Sequence, residues 1–122
     1  MLSEQRLPPE VQQALIEYEN LRNMLVKIEA ELRITENEIA EINEILDNIK
    51  ELPEDVELYK SIGHILLKKD RESVIKELEE RKELLLVKQQ KYKKQLEILR
   101  RQVSDSEQKV RDLLAKYGIR IG

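Results

Sequence analysis

The sequence predicts a mainly α protein: one long antiparallel two-helix coiled coil with a central β-hairpin that oligomerises. Three observations predict it, namely two heptad seams of twelve positions each, a short central stretch that breaks their period, and a composition almost empty of aromatic residues.

The composition excludes a thick globular core. Of 122 residues, 39% are charged, there is no Trp, Phe or Cys, and the aromatic residues are four Tyr. The apolar content is therefore Leu, Ile and Val in thin stripes, the profile of long helices. Three glycines and three prolines fall at the ends or the middle of the chain. That punctuation gives a single domain over 1–122, with helix over 8–52, a hairpin over 56–69 and helix again over 71–117.

The first helix carries Val11, Ala14, Tyr18, Leu21, Leu25, Ile28, Leu32, Thr35, Ile39, Ile42, Leu46 and Ile49 at alternating spacings of three and four, and only Thr35 interrupts the apolar run. A repeat of 3.5 residues sustained this long keeps one stripe facing a partner only through supercoiling. Pro8 and Pro9 suit the start of this helix, because the first turn needs no amide donors, and Pro53 stops it near Leu52.

The second helix repeats the pattern with Ile75, Leu78, Lys82, Leu85, Gln89, Tyr92, Leu96, Leu99, Val103, Ser106, Val110 and Leu113, with Tyr117 beyond. Equal seams call for a chain folded back on itself. Pairing Ile49 with Ile75 sets a register in which partner numbers sum to 124, so that Thr35 faces Gln89 and bulky Tyr18 faces small Ser106. Lys82 opposite Ile42 is the awkward layer, tolerable when its stem lies along the seam and its ammonium reaches water. Asp70 is placed to cap the start of this helix and Gly118 to close its end.

Between the seams, "VELYKSI" and "ILLKK" are short β-branched or aromatic runs separated by Gly63-His64. Glycine in the first place of a two-residue loop is the type II′ hairpin signal. In that register Leu58, Lys60, Ile62, Ile65 and Leu67 share one face, and Tyr59, Ser61, Leu66 and Lys68 the other. A lone two-stranded hairpin is marginal in water, and this one has no local core to cover it. The expectation is that Leu58, Tyr59, Ile62, Ile65, Leu66 and Leu67 meet hairpins of other chains; a plain connecting loop is the competing reading.

Charge divides unevenly. Residues 1–52 hold 12 acidic and 5 basic side chains, net −7, and residues 53–122 hold 13 and 17, net +4. The halves attract, and the acidic half cancels much of the field that Lys88, Lys91, Lys93, Lys94, Arg100 and Arg101 would offer a phosphate backbone. No nucleic-acid partner is expected. No apolar run approaches the ~20 residues of a membrane span and no signal segment leads the chain, so a soluble, cytoplasmic protein with no membrane partner is expected. His64 is the only histidine and sits in the predicted turn. No nucleophile with a base, no glycine-rich phosphate loop and no metal-ligand spacing accompanies it, so neither an enzyme nor a catalytic, cofactor or metal site is expected.

Apolar residues outside the seam gather near the chain ends: Leu2, Leu7, Leu15, Ile16, Met24 and Val26, with Leu114, Ile119 and Ile121. Two readings stand. Either Leu15 and Leu114 widen the seam among ordinary surface residues, or the group is a weak, sequence-tolerant apolar patch.

"LPPEVQQALIEYENLRNML" and "LPEDVELYKSIGHILLKKDRESVIKELEER", with "YKSIG" the most specific part, resemble the β-type subunits of prefoldin, most closely the archaeal form. The single hairpin separates this resemblance from the α-type, whose insert holds two. The resemblance implies an ATP-independent co-chaperone without cofactor, a hexamer of two α-type and four β-type subunits. It also implies a β-barrel platform built from hairpins, unfolded-protein clients held at coiled-coil tips, and delivery to a group II chaperonin. It implies assembly through Tyr59, Ile62, Ile65 and Leu67, and client contact through Leu2, Leu7, Val11, Leu15, Ile16, Leu114, Ile119 and Ile121. The alternative on the residues alone is a structural coiled-coil adapter or scaffold that holds no clients.

Overall fold

The computed structural model of the chain describes residues 7–120. It contains helix α1 (Pro9–Glu51), strands β1 (Leu58–Ile62) and β2 (Ile65–Lys69), and helix α2 (Arg71–Lys116). The expected class, two long helices with a hairpin between them, is the observed one.

Local chemistry sets each boundary. Pro9 opens α1, and the Pro8 carbonyl accepts the Gln12 amide at 3.0 Å while the Gln12 side chain donates back to the Leu7 carbonyl at 2.7 Å. At the other end the Leu52 amide donates to the Ile49 carbonyl at 3.2 Å, a tightened last turn just ahead of Pro53. Helix α2 is capped by Asp70, whose carboxylate accepts the Ser73 amide at 3.3 Å. It closes in a Schellman turn: Gly118 takes φ +63°, the Ile119 amide reaches the Leu114 carbonyl at 2.8 Å, and the Gly118 amide reaches Ala115 at 3.1 Å.

Every position of both predicted seams is buried or half-buried, whereas Tyr117, just beyond, is exposed. The phase read from the heptads is therefore the phase that packs.

The chain divides into two compact units. In the unit of residues 1–31 and 92–122, Val11, Ala14, Val110, Leu113 and Leu114 form the core, with Leu7, Leu15, Tyr18 and Ile119 packed on it. Ion pairs Lys109–Glu17 at 3.8 Å and Lys116–Glu10 at 3.5 Å flank it. They step by seven residues on each helix, and the numbers of each pair sum to 126. Flanking positions sum to that value when seam partners sum to 124.

In the unit of residues 32–91, Ile39, Ile42, Leu46 and Leu85 form the core, with Ile75 and Leu78 against it. Thr35 is buried here, and the Gln89 amide donates to the Glu36 carboxylate at 2.8 Å, so Gln89 turns its donor to the helix edge. Arg81 grips Glu38 with both arms of its guanidinium, at 2.7 and 3.1 Å.

Strands β1 and β2 pair antiparallel with Leu58 opposite Lys69, Tyr59 opposite Lys68, Lys60 opposite Leu67, Ser61 opposite Leu66 and Ile62 opposite Ile65. The loop is therefore Gly63-His64. Gly63 takes φ +59° and, among the described residues, no non-glycine residue has positive φ, which fits type II′ and excludes type I′.

Candidate functional site

Two surfaces carry the exposed apolar residues at the predicted sites: the hairpin, in the unit of residues 32–91, and the chain ends, in the other unit.

The hairpin is apolar on both faces. Opposed residues share a face, so one face holds Leu58, Lys60, Ile62, Ile65, Leu67 and Lys69, and the other Tyr59, Ser61, Leu66 and Lys68. Tyr59, Ile62, Ile65, Leu66 and Leu67 are all exposed, with Leu66 at 67% and Ile65 at 62%. Leu58, nominated with them, is only half-buried at the strand root. It lines a recess of about 540 Å³ together with Ile45, Ile49, Val74 and Leu78 of the helices, so part of its apolar surface is spent within its own chain. Glu77 holds the root from the helix side, 3.8 Å from Lys60 on β1 and 3.8 Å from Lys69 on β2.

On the second face Glu57 organises the polar groups. Tyr59 Oη donates to its carboxylate at 2.6 Å and Lys68 Nζ at 3.1 Å. The tyrosine bond and then the lysine charge hold the Glu57 carboxyl below its ordinary range, and the same carboxylate raises the Tyr59 phenol. These groups leave the apolar parts of Tyr59 and Leu66 free. Among the described residues no group of acidic or histidine side chains is arranged to hold a metal ion, and His64 lies in the turn.

At the chain ends the nominated residues separate by depth. Val11 is 0% exposed and Leu114 9%, both in the core, so neither offers the open side-chain surface that a contact residue such as Ile16 does. Val11 heads the first seam, and its phase already points inward. Leu7, Leu15 and Ile119 pack partly buried on that core, and Ile16 stands 60% exposed. Leu2 and Ile121 lie outside the described residues. Leu15, Tyr18, Val110, Leu114, Ala115 and Ile119 line a recess of about 520 Å³ whose rim is the Arg111–Glu107 pair at 2.6 Å. Beside it Glu10 accepts from Tyr117 Oη at 2.8 Å, and that bond and the Lys116 charge keep its carboxyl below the ordinary range.

Sequence reasoning missed a third group. Ile34, Leu84 and Val87 in the unit of residues 32–91, and Ile98 in the other unit, are exposed at positions off the seam. The run Leu84, Leu85, Leu86, Val87 was the available signal, since one helix face cannot bury four consecutive residues.

The likeness to known proteins is extensive. Residues 12–117 match the family described as prefoldin subunit. The prefoldin subunit beta of Sulfurisphaera tokodaii is 40% identical over 113 residues, spanning 93% of this chain and 90% of that protein. That of Saccharolobus islandicus is 42% identical over the same shares. Among solved structures, the prefoldin beta subunit from Thermococcus strain KS-1 matches with a TM-score of 0.76 and 26% identity, covering 90% of this chain and 96% of the other. With its seams, its single hairpin and this likeness over nearly its full length, the chain belongs to the prefoldin subunit family, on the beta side of it.

Proposed function

We propose that this chain is the β-type subunit of an ATP-independent co-chaperone, which joins an α-type partner through its hairpin, holds unfolded proteins at its chain ends and passes them to a group II chaperonin. Membership of the prefoldin family implies the chaperone role. The observation that carries the assembly reading is a two-stranded hairpin exposing Tyr59, Ile62, Ile65, Leu66 and Leu67 on both faces. Two strands alone do not hold in water, and the apolar faces with two unpaired edges invite further strands.

Client holding is supported by Ile16 and by the recess under Leu15 and Ile119, which offer a modest apolar area without a shaped pocket. One such surface binds weakly. Several borne on a common platform bind by effective concentration, so capture is useful while each contact still lets go. Release then needs no nucleotide, only a chaperonin that competes for client or tip. No residue of this reading performs covalent chemistry.

Native mass spectrometry of the complex purified gently from its host tests the assembly. The expected species has four copies of this chain and two of a longer coiled-coil subunit. The double variant Ile62→Asp, Leu67→Asp is expected to disperse it with helical content retained. A monomer or lone dimer of the unaltered chain would sink the hairpin reading and favour a structural adapter.

A further inference from the structure

Arg71 breaks a local rule. It is the first residue of α2, where the positive end of the helix dipole disfavours a cation and acidic residues are preferred, as Glu72 beside it illustrates. The side chain does not serve its own helix. Its guanidinium reaches across to the C-terminus of α1, with Nη2 donating to the Ile49 carbonyl at 2.5 Å and Nη1 donating to Leu52 and Pro53 at 3.2 and 3.1 Å.

Ile49 lies in the last turn of α1, where carbonyls carry partial negative charge, and Leu52 and Pro53 follow directly after it; the Ile49 and Pro53 carbonyls also accept the Leu52 and Val56 amides at 3.2 and 3.1 Å, so the guanidinium adds second donors there. Asp70 meanwhile caps α2 from the adjacent position. One dipeptide thus caps the helix that follows the hairpin and the helix that precedes it. Between the two capped ends lie residues 52–70, the hairpin and its roots.

We infer that Arg71 is a positioning residue for assembly: by clamping the end of α1 to the start of α2 it sets the direction in which the hairpin leaves the helices. This rests on the reading that the hairpin joins other chains. A planar fork holding carbonyls from three residues constrains orientation as well as distance, which the point charge of a lysine does not. The ion pairs of Glu77 to Lys60 and Lys69, at 3.8 Å and half exposed, are looser ties between the same parts.

The test uses the full chain with its α-type partner. The chain has no cysteine, so His64→Cys in the turn and Gln90→Cys on α2 carry two spin labels. Arg71→Met and Arg71→Lys are expected to broaden the label-to-label distance distribution with helical content unchanged. They are also expected to raise the concentration for half-assembly by about tenfold or more, with Glu77→Gln close to the unaltered chain. A merely stabilising role would lower the melting temperature and leave the distribution narrow below it. If Arg71→Lys keeps both a narrow distribution and normal assembly, the inference is overturned, even where Arg71→Met fails to fold. Should Ile62→Asp, Leu67→Asp still assemble, the hairpin reading fails instead, and the distance distribution continues to decide the clamp.

Discussion

Glu10, Glu38 and Glu57 each accept a bond from a tyrosine or arginine and each has its pKa held below the ordinary value of 4.5, by Tyr117, Arg81 and Tyr59 respectively. A carboxylate whose folded pKa is depressed adds stability that is present above the ordinary pKa and lost as pH falls through the folded one. The chain is therefore expected to lose stability on acidification below about pH 5. Glu10 and Glu57 are exposed and Glu38 is partly so, so each share is small. Melting temperature against pH is the measurement. Glu38→Gln, which cannot ionise and loses the Arg81 fork, is expected to melt a little lower at pH 7 and to show a shallower fall toward pH 3. Identical curves for the two proteins would remove the assigned role of the fork. Most residues at this scale were legible: Val11 was readable as core from its heptad phase, as was Asp70 as a cap from its place before an apolar-periodic run. The partners of Arg71 were not, because they lie 18 to 22 residues away and depend on where α1 ends.

Among the elements, the hairpin turns on Gly63, the one residue of its loop with positive φ. A Cβ added at Gly63 meets nothing within 4 Å, so any cost of substitution comes from the backbone at φ +59° and not from a clash. Gly63→Val is expected to destabilise the turn by roughly 1–3 kcal/mol. Amide hydrogen exchange over residues 57–69 should accelerate while α1 and α2 away from the hairpin keep their protection. Unchanged exchange would mean that the two-residue loop does not depend on glycine. The helices were readable in phase because a 3.5-residue repeat admits one inward face. Thr35 and Gln89 show the limit of that reading. The phase puts both on the inward face, where Thr35 is buried and Gln89 half-buried, but not the choice of Glu36 as the partner of the Gln89 amide. That choice is made by the edge of the packed helices, where a carboxylate waits within reach.

At the scale of the whole molecule, the two surfaces belong to separate units, residues 1–31 with 92–122 and residues 32–91. Each can be altered without touching the core of the other. Leu15→Ser with Ile16→Ser is expected to leave the complex intact by native mass spectrometry. It should weaken suppression of aggregation of a denatured test protein by roughly tenfold or more, because losses at several copies multiply through effective concentration. Full protection by an intact complex would remove these residues from client holding. Leu114 is left out of this variant because its burial makes it a packing residue, and a Ser there would report on stability.

What the amino-acid order determined by itself is everything governed by periodicity and by local backbone chemistry. The inward stripe of each helix, the caps at Pro9, Asp70 and Gly118, and a glycine-led turn between two short strands follow from side-chain spacing and from backbone angles that neighbours dictate. Only the tertiary structure decided how deep a residue lies and which distant groups it meets. It put Val11 and Leu114 beneath the surface while Ile16 stayed outside it, left Ile34, Leu84 and Val87 uncovered, and laid the Arg71 guanidinium on carbonyls at the end of α1 and just beyond it. Burial depends on what stands opposite a side chain, and a hydrogen bond across twenty residues depends on where two helices end. Neither quantity is a property of local sequence.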